Sequence, residues 1–172
     1  MTKHKEGNLM RHLIAVALLA LATFVPVSSV GAATDQGQSL TGSGWRGNVR
    51  TPTVPTIHFV VSAHNGPRGV FGTYTSMNPN QPLVNFSGRV TCLYVVGNQA
   101  IVGGVVTSGG EPGQVGTGFA VGFTDNGSPP SDTVTFYDVE LATPVDCAAE
   151  TFLFTLTNFP VLSGNVVVST SS

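Results

Sequence analysis

The sequence has few charged residues, and it has no lysine after its N-terminal segment. Charged residues make up 9% of the chain, against about 25% in an average soluble domain. Both lysines precede residue 34, and the remaining chain carries four arginines against eight acidic side chains. This balance lacks the basic field that binding to nucleic acid or to an anionic membrane requires. We therefore expect neither of these partners for the chain after residue 33.

A long apolar run is also missing, apart from a short one near the N-terminus. Basic residues precede the apolar residues 13–25, which Pro26 ends, and small residues follow. This order is typical of a cleaved secretory signal, whereas a membrane span needs about 20 apolar residues. The sequence predicts a signal peptide over residues 1–33. We expect a secreted single domain over 34–172, beginning with a flexible leader over 34–44.

Cysteine is scarce, because the chain contains only Cys92 and Cys147. An even number of cysteines in an exported domain predicts a disulfide, and hence an oxidising compartment. The bridge would close a loop of about 55 residues and, on the chain-entropy model, add roughly 4 kcal/mol to stability. Two isolated cysteines do not supply a metal site. We expect a structural disulfide.

Sustained helical periodicity is absent from the sequence after residue 33. Gly, Asn, Asp and Pro instead cluster at turn-like spacing between short runs rich in β-branched residues, as in antiparallel strands. The predicted strands cover residues 57–63, 69–75, 83–96, 99–107, 116–124, 133–141, 152–156 and 166–169. About eight strands on short connections predict an all-β domain, either an up-and-down meander closing into a barrel or a two-sheet sandwich. The sequential hairpins favour the barrel.

The segment 88–107 carries the clearest strand signal, because two runs rich in β-branched residues meet at Gly97-Asn98. Glycine at the first turn position allows the positive φ that a two-residue hairpin turn of type II′ needs. Counting outward from the turn places Cys92 opposite Gly103. A glycine at that position leaves lateral room for a disulfide.

The two faces of this hairpin are both largely apolar near the turn. Side chains alternate between the faces of a strand, so Val90 should lie on the same face as Cys92. The opposite face forms a candidate apolar binding surface that would meet a core, a ligand or a partner. Its principal members are Leu93, Val95, Val102 and Val106.

The loop 125–132 is the best polar candidate, since the sequence contains no known nucleophile, zinc or phosphate-binding motif. Its Asp125, Asn126 and Asp132 could offer oxygen ligands to Ca²⁺, although their spacing is not that of an EF-hand loop. The same residue types are what a turn between strands requires, because their side chains accept hydrogen bonds from backbone N–H groups. Both interpretations stand as hypotheses, and no other cofactor is expected.

A second pair of carboxylates occurs at Asp138 and Glu140, two residues apart in a predicted strand. A regular strand would place both on one face, about 7 Å apart, a separation that suits the acid and base of a glycoside hydrolase. Acidic residues on the outer face of a strand also keep that face wet and prevent edge pairing. The pair therefore carries a hydrolase hypothesis beside a structural one.

Several short motifs in the chain point to one group of proteins. Residues 90–100 read Val-Thr-Cys-Leu-Tyr-Val-Val-Gly-Asn-Gln-Ala, and they are followed by Phe-Thr-Asp-Asn-Gly at 123–127, by Asp132 and by Cys147. This pattern resembles a group of small exported bacterial β-proteins over most of the chain after the predicted signal. The resemblance implies export and the fold. It implies no activity and assigns no catalytic residue.

Three functional hypotheses remain for the exported part. The favoured one is a non-enzymatic structural or interaction module, because low charge and a disulfide suit durability outside the cell. The alternative is a barrel that binds a small apolar ligand, and the third is a hydrolase. The expected partner is accordingly an unidentified protein or a small apolar molecule.

Overall fold

The structure, a computed structural model, describes residues 37–109, 111–127, 130–135, 138–156 and 158–170. The predicted signal peptide lies outside the described residues. These residues form nine strands: β1 (Ser39–Arg46), β2 (Ile57–Gly66), β3 (Gly69–Met77), β4 (Phe86–Val96), β5 (Gln99–Gly109), β6 (Gly118–Thr124), β7 (Thr133–Thr135), β8 (Asp138–Leu141) and β9 (Asn158–Ser169). Two short 3₁₀-helices, Pro82–Val84 and Ala149–Thr155, lie between strands.

Eight of these strands close into an antiparallel up-and-down barrel. From β1 to β7 each strand pairs with the next along the chain, and β9 pairs with both β7 and β1. β8 pairs with the first half of β6, while β7 pairs with its second half. The all-β meander barrel predicted from the sequence is confirmed.

The barrel has two ends of different construction. We call the end formed by the loop 47–56 and the connection 78–85 the mouth. The opposite end, formed by the turns 66–69 and 97–98 and the loop 125–132, is called the turn end. Since the meander alternates direction, every second connection belongs to the same end.

The first strand contradicts one expectation. A flexible leader was expected over 34–44, but residues 39–44 belong to β1, which pairs with β2 and β9. Leu40 is fully buried in the barrel core. The small polar residues of this segment give no local strand signal. The segment forms a strand because it pairs with β2 and with β9, and β9 is distant in the sequence.

The β4–β5 hairpin has the predicted register near its turn. Cys92 pairs with Gly103, and Gly97 has a φ of 60°, the positive value that the turn requires. A bulge between Val90 and Cys92 then shifts the pairing. The sequence placed Val90 on the face of Cys92, which is wrong, because the extra residue in the bulge turns Val90 into the barrel core.

The outer side of β5 and β6 is covered by the segment 142–156. Its 3₁₀-helix Ala149–Thr155 replaces the strand predicted over 152–156. The helix buries Leu153, and the Thr155 hydroxyl donates to the Phe152 carbonyl within the turn. A second apolar cluster results, formed by Ile101, Ala120, Val145, Cys147 and Leu153, with Cys92, Tyr94, Leu141 and Phe154 packed against it.

Candidate functional site

The candidate apolar binding surface of the β4–β5 hairpin lies inside the barrel. Leu93, Val95, Val102 and Val106 are all buried members of the core cluster. Their opposite face is covered by the outer segment described above. The structure therefore assigns these four side chains to the core.

Aromatic rings fill the middle of the barrel. The ring of Tyr74 lies 5.5 Å from that of Phe86 and 5.6 Å from that of Phe119, measured between centroids. Phe123 lies 6.3 Å from Tyr74 and 5.8 Å from Phe59. Such spacing is ordinary aromatic packing, and an eight-stranded barrel is just wide enough for its own side chains to fill it. These rings occupy the space that an internal ligand would need.

Cys92 and Cys147 form the predicted disulfide, with an S–S distance of 2.06 Å. The bridge passes over Gly103, where a β-carbon would lie only 2.8 Å from the Cys92 sulfur. The glycine opposite Cys92 thus supplies the room that the sequence suggested. The bond fastens the outer segment to the barrel and is compatible with an oxidising compartment.

The acidic side chains of the loop 125–132 cap backbone groups. Asp132 is fully buried, and its carboxylate accepts hydrogen bonds from the backbone N–H groups of Asn126 (2.9 Å) and Val166 (3.1 Å). Asp125 accepts from Gly127 (2.9 Å) and from Val168 (3.0 Å). All four carboxylate oxygens that a calcium ion would use therefore have backbone donors, as in the turn interpretation.

The remaining side chains at the turn end also bond to neighbouring loops. The Asn98 amide donates to the Asp125 carbonyl at 2.7 Å and to the Asn126 side-chain oxygen at 3.2 Å. The Asn126 amide in turn donates to the Ser131 carbonyl at 2.6 Å. Asn126 thus joins the loop to its neighbours, and the three predicted calcium ligands act together as loop anchors.

The pair proposed for a hydrolase does not stand in a regular strand. The predicted strand 133–141 is divided into β7 and β8, and a register shift interrupts the pairing of β8 with β6. Glu140 has a φ of 66° and is exposed. The side chain of Asp138 lies outside the described residues. The regular alternation on which the 7 Å spacing depended is therefore absent at Glu140.

The mouth contains a cavity that the sequence did not suggest. Its volume is about 270 Å³, and it lies between the loop 47–56 and the connection 78–85. The described lining residues are Arg46, Asn48, Val49, Arg50, Ile57, Asn78, Gln81 and Val84. The described lining combines two arginines and three carboxamides with three aliphatic side chains, and contains no acidic residue.

Arg46 places a positive charge beneath this cavity. It ends β1, and its side chain is fully buried. The guanidinium donates to the Gly47 carbonyl at 3.0 Å and lies 5.0 Å from the centroid of the Phe159 ring, an arrangement that stabilises a desolvated cation.

Asn48 organises the loop above Arg46 through its side-chain oxygen. This one oxygen accepts hydrogen bonds from the Arg50 and Thr51 backbone N–H groups, at 2.9 and 2.8 Å, and from the Thr51 hydroxyl at 3.0 Å. Its amide nitrogen has no such bond among the described residues. The side-chain oxygen of Asn48 is thus occupied by the loop, whereas its two amide N–H donors make no hydrogen bond with the described residues.

The same asymmetry holds across the cavity. The side-chain oxygen of the buried Asn78 accepts from the Asn80 backbone N–H at 3.0 Å, and its amide donates to the Gln81 side-chain oxygen at 3.3 Å. The Gln81 amide nitrogen donates to no group in the described part of the chain. Each of these two oxygens accepts one hydrogen bond from the turn, and the Gln81 N–H donors remain at the cavity.

Arg50 supplies the accessible cation of the mouth. It is exposed, and its guanidinium makes no hydrogen bond with the residues that the structure describes. An acidic residue, Glu111, lines an adjoining hollow together with Gln81 and Val84. The cavity itself is therefore rich in donors and positive charge, with a carboxylate at its margin.

A weak signal for this site was present in the sequence. Arg46 and Arg50 are two of the four arginines after residue 33, and only three residues separate them. The partners Asn78 and Gln81 come from a connection about 30 residues further on, and only the closed barrel brings them alongside. The sequence contains no pattern that joins the two loops.

Comparison with known proteins gives no match: no family model, curated protein or solved structure corresponds to this chain. Within the described ranges, no cluster of three or more His, Cys, Asp or Glu side chains is placed to hold a metal ion. Among the same residues, no helix is long and apolar enough to cross a membrane.

Proposed function

We propose that this chain is an exported, non-enzymatic β-barrel module that binds its ligand at the mouth. The observation that carries this proposal is the cavity of about 270 Å³ between the loop 47–56 and the connection 78–85. The aromatic packing of the interior favours binding at the mouth over binding within the barrel. The disulfide, which suits an oxidising compartment, supports export.

The hydrolase hypothesis receives less support from the geometry. Glu140 is exposed at an irregular position of β8, whereas a catalytic acid works in a concave site that excludes water. The module proposed here needs no nucleophile or proton carrier. Hydrolytic turnover that disappears in the Glu140→Gln variant would contradict the proposal of a non-enzymatic module.

The test is a fragment screen on the isotope-labelled domain 34–172, followed by NMR. Acids, amines, alcohols and sugars are titrated separately, and the shifted backbone and side-chain amides are mapped. We expect the saturable shifts to cluster at Asn48, Asn78 and Gln81. Shifts confined to the turn end, or the absence of saturable shifts in every class, would overturn the proposal.

Two matched variants show whether the mouth itself is responsible. Val49 is 70% exposed at the mouth, and Val96 is 51% exposed at the turn end. Val49→Trp should obstruct the cavity and abolish the shifts, while Val96→Trp should leave them unchanged. An equal loss in both variants would mean that binding does not occur at the mouth.

A further inference from the structure

We infer that the mouth takes a small aliphatic monocarboxylate, with the carboxylate bound by Arg50 and the aliphatic part against Val49, Ile57 and Val84. This inference names the ligand class and rests on the function proposed above. Nothing in the sequence alone assigned a ligand to these residues. We reach it in four steps: hydrogen-bond polarity, charge, size and the apolar wall.

The first step is the polarity of the free hydrogen-bonding groups. The side-chain oxygens of Asn48, Asn78 and Gln81 accept hydrogen bonds from groups of their own loops. Donors remain on the Asn48 and Gln81 amide nitrogens, and Arg50 adds its guanidinium. A site that offers donors and few acceptors selects a ligand made of acceptors, which favours an oxyanion over an alcohol, an amine or a sugar.

The second step is the amount of charge. Arg50 is the exposed cation at the cavity, and Arg46 is fully buried below it. Arg50 therefore makes the contact with the ligand, because its side chain is the accessible one of the two. The planar guanidinium matches a carboxylate in a two-point hydrogen bond. One accessible guanidinium beside neutral amides suits a single negative charge, whereas a phosphate dianion would also encounter the nearby Glu111.

The third step is size. A volume of about 270 Å³ is close to the lower limit of small-molecule sites. The ligand is therefore small.

The fourth step is the apolar wall, because Val49, Ile57 and Val84 line the same cavity. An aliphatic chain of a few carbons covers these side chains and displaces water from them.

The probe is hexanoate, titrated into the labelled domain 34–172 at low salt. Hexanamide keeps the chain and removes the charge, and inorganic phosphate keeps the charge and removes the chain. We expect hexanoate to bind with a dissociation constant on the order of 1 mM, shifting the side-chain amides of Asn48 and Gln81. Both comparison compounds should bind at least about tenfold more weakly.

The decisive variants are Arg50→Gln and Arg68→Gln. Both arginines are exposed, but Arg68 lies in the turn 66–69 at the opposite end of the barrel. Arg50→Gln should weaken hexanoate binding about tenfold or more, and Arg68→Gln should leave it unchanged. Because Arg50 uses only its backbone N–H in the fold, the variant should keep the wild-type spectrum elsewhere.

Several results would overturn the inference. The inference is wrong if hexanamide binds as tightly as hexanoate, or if phosphate binds more tightly than hexanoate. It is also wrong if the two arginine variants weaken binding equally, or if hexanoate produces no saturable shift. If other fragments bind at the mouth but hexanoate does not, the ligand class is wrong and the proposed function stands. If no class of fragment binds there, both are wrong.

Discussion

The two ends of the barrel use similar side chains for different purposes. At the turn end, Asp125 and Asp132 direct their carboxylate oxygens at backbone N–H groups, including two on β9. At the mouth, Asn48 and Asn78 use their oxygens in the same way. A carboxylate has only acceptors to give, so the turn end is satisfied by its own backbone. An amide also carries donors: that of Asn78 bonds to the Gln81 side chain, whereas we propose that those of Asn48 and Gln81 serve a ligand.

The positions of the charges strengthen this difference. The capping carboxylates lie at the turn end, whereas Arg46 and Arg50 lie at the mouth. The two signs are not fully separated, because Arg68 lies at the turn end and Glu111 lies beside the mouth. The capping carboxylates stabilise the fold, and Arg50 is the cation that we propose binds the ligand. Mutations at the two ends should therefore separate stability from binding.

The largest effect on stability should come from the disulfide, which belongs to neither end. Replacing Cys92 and Cys147 by alanine releases a loop that spans 55 residues. We expect the free energy of unfolding to fall by about 4 kcal/mol, measured by urea denaturation. Hexanoate should still bind to the variant under native conditions. A loss of binding without unfolding would show that the mouth depends on the outer segment.

Asp132→Ala should be the most destabilising change at the turn end. The substitution removes the acceptor of the buried Val166 backbone N–H and of the partly buried Asn126 backbone N–H. We expect the free energy of unfolding to fall by about 3 kcal/mol, since an unsatisfied buried donor costs about 1–3 kcal/mol and the second lost hydrogen bond adds about 1 kcal/mol. Urea denaturation measures the loss, and binding of hexanoate to the folded fraction should not change.

The control for this variant is Asp146→Ala. Asp146 also accepts a backbone N–H bond, from Ala148 at 3.0 Å, but it is exposed. Water can replace its oxygen, so the loss should stay below about 1 kcal/mol. Equal losses in the two variants would show that the burial of Asp132 contributes nothing.

A pair of asparagines compares the ends directly. Asn48→Ala removes an acceptor of three hydrogen bonds at the mouth, and Asn98→Ala removes a donor to the loop 125–132. Each should cost about 1 kcal/mol of stability. Only Asn48→Ala should also weaken hexanoate binding, by about fivefold, since it removes a donor and loosens the loop that carries Arg50. Denaturation and NMR titration provide the two readouts.

The sequence predicted those parts of the molecule that depend on local signals. The turn at Gly97-Asn98 defines its own register, and therefore the opposition of Cys92 and Gly103 could be read directly. The bulge after Val90 could not be predicted, because it depends on how the hairpin curves in the closed barrel. Residues 39–44 of β1 were expected to be a flexible leader, because residues 42–44 read Gly-Ser-Gly and resemble a linker.

The candidate sites, too, could be predicted only where their residues are close in the sequence. Asp125, Asn126 and Asp132 were recognised as a polar loop, since turn chemistry is written in consecutive residues. Their hydrogen bonds to the backbone of Val166 and Val168 could not be predicted, because only tertiary structure brings these residues close. The mouth was missed entirely because Arg50 and Gln81 belong to separate loops.

The smallest predicted effect concerns Glu111, an acidic side chain at the margin of the mouth cavity. Glu111 is exposed, so Glu111→Gln should change the free energy of unfolding by less than about 0.5 kcal/mol. Removing its charge should strengthen hexanoate binding about twofold at low salt, because exposed charges interact weakly and salt screens them. The gain should vanish at high salt and should not occur for hexanamide. A gain that persists with the neutral amide would mean that Glu111 obstructs the cavity by its shape, and the comparison of the two ends would then rest on packing instead of charge.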